Sequence, residues 1–197
     1  MSKLVLDTKD FGINYFSMAR ETDISAESYV YHKIILNAYG KLNIYYSDGK
    51  EWILNPGEFF ITPVNVPVGM KTDTGSICTE IRLREGAMLN KILRDGEVFK
   101  IAEIVPYQEG RIVNMDLIND PKMKFVVMAF DEGTGLSEHA APGEALIFAL
   151  DGQGIIGYEG KEHLIKAGEN FKFAKNGRHS VKADGKFKMA LLLTLED

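Results

Sequence analysis

The sequence predicts an all-β protein: two tandem jelly-roll (double-stranded β-helix) barrels joined by a short helix. Three observations lead there. Short runs of β-branched and aromatic residues alternate with Gly-containing turns along most of the chain. The second half repeats the first at a near-constant offset. Between the halves lies a stretch whose apolar residues fall at helical spacing.

The first run, residues 29–38 (YVYHKIILNA), is closed by Gly40. Residues 42–46 and 51–54 flank Asp48–Gly49, a dipeptide that favours a tight hairpin. Pro56–Gly57 ends that strand, residues 59–62 begin the next, and residues 76–83 form another. In residues 85–96 (EGAMLNKILRDG), Met88, Leu89, Ile92 and Leu93 share one helical face, and Gly96 supplies the stop. Residues 99–105 and 111–117 are expected as the leading strands of the second half, with a turn at Asn119–Asp120–Pro121. Residues 145–150, 154–158, 162–165, 171–174 and 187–195 then repeat the plan of the first half.

The repeat holds residue by residue. Gly40 and Tyr46 align with Gly152 and Tyr158 at an offset of 112. After a one-residue gap the offset is 111, and Gly49, Gly57, Phe60, Asn65 and Asp73 align with Gly160, Gly168, Phe171, Asn176 and Asp184. The expected organisation is an N-terminal barrel over 1–85, a helical linker over 86–96 and a C-terminal barrel over 97–197.

Composition narrows the function. Hydrophobic residues make up 45% and charged residues 26% of 197, the balance of a globular protein. The net charge of −5 disfavours a nucleic-acid partner, which needs a basic patch. No apolar run reaches the length that spans a bilayer, so no membrane partner is expected. The opening MSKLVLDTKD lacks the apolar core of a signal peptide, and the one cysteine, Cys78, cannot form an intramolecular disulfide. The expected compartment is the cytoplasm. Cys78 reads as a buried small hydrophobe. The chain has no Walker loop or Cys-x-x-Cys.

Two stretches carry histidines at informative spacing. Residues 135–152 read GLSEHAAPGEALIFALDG, and residues 168–179 read GENFKFAKNGRH. Together they resemble the two motifs of the cupin superfamily. His139 and Gly152 fall on the first motif's leading His and closing Gly, and Gly168 and His179 on the second motif. The segment from Gly96 onward is similar to small cupins with a Glu-His-x-Ala-Pro first motif. The family pattern offers three His and one Glu. Here Ala141 replaces the second His, Ala145 replaces the Glu, Glu144 stands one position early, and Ala174 stands where Pro is usual. In the first half the same four positions are Glu27, Tyr29, Lys33 and Val68, so that barrel is expected to be degenerate and structural.

The resemblance implies a site in the C-terminal barrel. His139 and His179, on strands facing each other across the barrel, would hold a divalent metal (Zn, Mn, Fe or Ni), with Glu144 as third ligand. If Ala145, Ile147 and Ala149 face inward, strand alternation turns Glu144 away. The small residues Ala141 and Ala145, with Ile147 and Phe171, would line a cavity for a small polar ligand. The alternative is that Phe148, Phe171, Phe173, Phe187 and Met189 fill that space. Two functions follow. The first is a small-molecule binding module. The second is a metal-dependent cupin enzyme (isomerase, lyase or dioxygenase) acting on a sugar-like or dicarbonyl metabolite. Pairing into a homodimer through edge strands is compatible with either.

Overall fold

A computed structural model describes residues 1–195. The regular structure is β throughout apart from one 3-10 turn, Ile101–Glu103, and no α-helix occurs among the described residues. The chain divides into two compact units. One takes residues 1–87 and 91–100, the other residues 88–90 and 101 onward.

In the N-terminal unit, a six-stranded antiparallel sheet is built from β1 (Ser2–Asp7), β2 (Gly12–Met18), β4 (Lys33–Gly40), β7 (Glu58–Ile61), β9 (Ser76–Arg82) and β10 (Val98–Lys100). Their order is β1-β2-β9-β4-β7-β10. A four-stranded sheet holds β3 (Thr22–Glu27), β5 (Leu42–Tyr46), β6 (Glu51–Leu54) and β8 (Val68–Thr72) in the order β3-β8-β5-β6. Met18, Ile35, Phe60 and Cys78 from the first sheet bury against Leu42, Ile44, Leu54 and Met70 from the second. Each large apolar side chain so buried contributes on the order of 1.5–3 kcal/mol.

The C-terminal unit is one antiparallel sheet that turns on itself. β11 (Ile112–Asp120), β12 (Met123–Phe130), β17 (Arg178–Thr194), β14 (Ala145–Tyr158) and β15 (Lys161–Lys166) follow in that order. β13 (Gly135–Ala140) pairs with β17, and β16 (Asn170–Phe173) with β14. The turning comes from the two long strands. β17 pairs with β13 along residues 178–182 and with β12 along 187–194. β14 pairs with β16 along 145–148 and with β15 along 153–158. The register shifts between Ala149 and Asp151 and again between Gly152 and Gly154. Such bulges bend a strand and let it change layers. The two strands expected over 145–150 and 154–158 are therefore one bent strand.

Hydrogen bonds recur at the offsets that align the two halves. Asn65 N donates to Tyr29 O at 2.7 Å, and Asn176 N to Ala141 O at 2.9 Å. Gly57 N donates to Asn37 O, and Gly168 N to Ala149 O, both at 2.9 Å. Asn65 and Asn176 both take positive φ, 57° and 63°.

The linker helix does not form. Leu89 bridges to Ile118, Asn90 N donates to Leu117 O at 2.9 Å, and Asn90 Nδ2 donates to Asp116 O at 2.8 Å. Residues 88–90 are thus strapped to the edge of β11. Met88 and Ile92 are exposed while Leu93 is buried, so the helical stripe is never used. A lone helix of about a dozen residues is marginal without a buried face. The strand expected over 99–105 is also corrected: β10 stops at Lys100 and the 3-10 turn follows.

Candidate functional site

His139 and His179 do come together, by a route the sequence did not suggest. They are direct cross-strand partners on neighbouring strands β13 and β17, because β17 begins one residue before His179 and runs alongside β13. They do not face each other across a barrel. The ring centroids are 4.3 Å apart at 54°. His179 is 4% exposed and stacks on Phe173 at 4.1 Å, whereas His139 is exposed. His139 Nδ1 lies 2.8 Å from Ser137 O, and His179 Nδ1 lies 2.9 Å from Gly177 O. A carbonyl only accepts, so each Nδ1 carries the proton and each Nε2 is the free acceptor of the neutral ring. Burial lowers the His179 pKa. The Gly177 carbonyl opposes that shift and the neighbouring His139 adds to it.

The expected third ligand is elsewhere. Glu144 Oε2 sits 3.0 Å from Lys172 Nζ. No group of three or more His, Cys, Asp or Glu able to hold a metal exists among the described residues. Structural and catalytic zinc sites take about three or four protein donors. The donor set found here, two imidazoles, does not fit a tightly held resident metal.

The expected ligand pocket of this unit is core. Ala145 and Ile147 are buried among Phe130, Phe173, Phe187 and Met189, with Phe171 packed at the margin. Ala141 is also buried, and its carbonyl holds Asn176. The aromatic side chains take the volume that the small residues leave.

A cavity of about 200 Å³ lies in the N-terminal unit instead. Its polar wall includes Glu27, Tyr29, Lys33 and Glu80. Three of these, with Val68, are the repeat partners of the motif positions His139, Ala141, Ala145 and His179. Lys33 Nζ donates to Glu80 Oε2 at 3.1 Å and stands 3.9 Å above the Tyr29 ring. The Tyr29 phenol donates to Glu27. That hydrogen bond, and then burial, raise the Tyr29 pKa. Ile24, Ile35, Val68 and Met70 form the apolar wall. The unit expected to be structural therefore carries polar groups converging on a cavity.

Glu80 is the member that the sequence reading passed over. A signal for it exists. In β9 it lies two residues from Cys78, on the same face by strand parity, and Cys78 is core. A carboxylate on the core face of a strand needs a partner, and Lys33 is that partner.

Residues 126–195 match the family model described as the cupin domain. No curated protein matches the chain. Among solved structures, it is similar to a cupin 2 conserved barrel domain protein from Leptotrichia buccalis. The identity is 28% and the TM-score 0.86, covering 98% of this chain and 88% of that one. It also resembles a putative glyoxylate induced protein from Pseudomonas aeruginosa, at 16% identity and TM-score 0.66, covering 98% and 78%. A third is a salicylate 1,2-dioxygenase from Pseudaminobacter salicylatoxidans, at 10% identity and TM-score 0.68, covering 94% and 71%. The last two speak for the fold alone. These matches make residues 126–195 similar to the cupin domain, and the fold similar to that of a cupin barrel protein.

Proposed function

We propose that this chain is a cupin, a tandem of two barrels that binds a small polar molecule, and that the ligand enters the N-terminal unit. One observation carries the reading: the cavity of about 200 Å³ is lined by the residues at the motif-equivalent positions, Glu27, Tyr29, Lys33 and Val68. The fold keeps its usual pocket and refits it with a lysine–carboxylate pair and a tyrosine. Nuclear magnetic resonance with a library of small polar fragments tests this. Fragments that bind the parent should lose binding in Val68→Phe, which fills the cavity, and keep it in His179→Phe. Fragments that still bind Val68→Phe, or an absence of any binder, overturn it.

A second reading keeps metal at the C-terminal histidine pair. The observation in its favour is that both Nε2 atoms are left as acceptors on adjacent strands. With two protein donors such an ion would be exchangeable and would draw its other donors from solvent or ligand. Calorimetric titration with Zn or Ni should show binding that His139→Ala removes. No heat in the parent sinks this reading and leaves the first untouched. An isomerase, lyase or dioxygenase activity would depend on the same ion.

A further inference from the structure

The charges around the N-terminal cavity point to the kind of molecule it accepts. Lys33 is already compensated: its ammonium pairs with Glu80 and rests on the Tyr29 ring. Arg82, nearby on β9, donates to Asp7 Oδ1 at 2.7 Å, which compensates it as well. Glu27 differs. The donor it has among the described residues is the neutral Tyr29 phenol, which leaves its charge unbalanced at the cavity wall. Two carboxylates and one ammonium line the space, so its formal charge is one negative. An anionic ligand would meet that charge, whereas a cation would cancel it. The apolar lining of Ile24, Ile35, Val68 and Met70 suits a short branched hydrocarbon. A volume near 200 Å³ is about six or seven waters' share of liquid, room for a compact molecule only.

We infer that the N-terminal cavity is a site for a small primary amine: the ammonium pairs with Glu27 and the short apolar tail lies against Ile35, Val68 and Met70. This rests on the reading that the cavity binds a ligand, and adds the ligand's charge and shape. The selectivity comes from the uncompensated carboxylate. Lys33, held by Glu80, repels a second cation less than a free lysine would.

Three probes of matched shape test it on the full chain: isopentylamine, isopentanol and 3-methylbutanoate. Titrations followed by magnetic resonance at Val68 and Met70 give the three dissociation constants. The amine should bind about fivefold tighter than the alcohol, and the carboxylate weakest. Glu27→Gln, an isosteric change at an exposed residue, should bring amine and alcohol to nearly equal affinity. Tightest binding by the carboxylate overturns the amine inference and leaves the binding site standing. So does an amine preference that survives Glu27→Gln. If none of the three shifts the Val68 and Met70 signals, the cavity reading itself falls with the inference.

Discussion

Lys33 Nζ lies 3.1 Å from Glu80 Oε2, and the two side chains are only 15% and 10% exposed. They come from the neighbouring strands β4 and β9, where Ile35 is the direct partner of Glu80 and Lys33 sits on the diagonal. Each charge is tolerated because the other is there. Lys33→Met should therefore strand the carboxylate and cost about 3–5 kcal/mol, measured by urea unfolding. The double change Lys33→Met with Glu80→Leu should recover most of that loss, since replacing a whole buried pair is often near neutral. A single variant as stable as the parent would mean that water reaches the pair and solvates it.

The same pair marks the limit of what the sequence shows. The β class was legible because turn residues such as Asp48–Gly49 and Pro56–Gly57 punctuate apolar runs, and these local signals survive folding. The repeat was legible because Gly40, Gly57 and Asn65 share their backbone roles with Gly152, Gly168 and Asn176. The meeting of His139 and His179 was legible from motif spacing. Their adjacency on paired strands was not, because the pairing joins segments forty residues apart. The helix over residues 85–96 failed where a contact between Leu89 and Ile118 outweighed local spacing. The cavity's location depends on which distant side chains fill which volume. Phe173 and Phe187 close the C-terminal interior, and nothing local to Ala145 announces that.

Cys78 gives the pH dependence. Burial, reinforced by the Glu80 carboxylate, pushes its thiol up to about 12. Below the ordinary thiol value of about 8.5, folded and unfolded chains both hold the proton and Cys78 adds no slope. Above it, the unfolded chain loses the proton while the folded chain keeps it, so this contribution to stability falls as pH rises toward 12. The slope approaches about 1.4 kcal/mol per pH unit at most. Urea midpoints of parent and Cys78→Ala, compared from neutral to alkaline pH, isolate it from the other titrating groups. The parent should lose stability faster than the variant above the thiol's free value. A thiol reagent near neutral pH should label Cys78 only after unfolding.

Tyr46 carries a buried hydroxyl with no hydrogen-bond partner among the described residues. Its ring is well placed, 4.5 Å from Trp52 and 6.4 Å from Phe60 between centroids. Burial pushes the phenol up to about 12. An unpaired buried polar group costs about 1–3 kcal/mol. Tyr46→Phe keeps the ring contacts and deletes the orphan atom, so it should raise unfolding stability by about 1 kcal/mol. A loss of similar size would show that the hydroxyl is satisfied in solution.

Gly40 and Gly152 occupy equivalent places and share one constraint. Their φ values are 71° and 67°, and a Cβ would fall on the carbonyl oxygen of Gly75 and of Lys186 respectively. Gly57 and Gly168 are also equivalent and also take positive φ, 82° and 89°, but a Cβ there meets open space. Alanine at the second pair should cost only the left-handed strain, about 1–2 kcal/mol. At the first pair it adds a clash with backbone, which cannot step aside without breaking the β4–β9 or β14–β17 ladder. Gly40→Ala and Gly152→Ala should therefore each destabilise more than Gly57→Ala and Gly168→Ala in urea unfolding. Equal losses at all four would mean that the ladders yield at these bends.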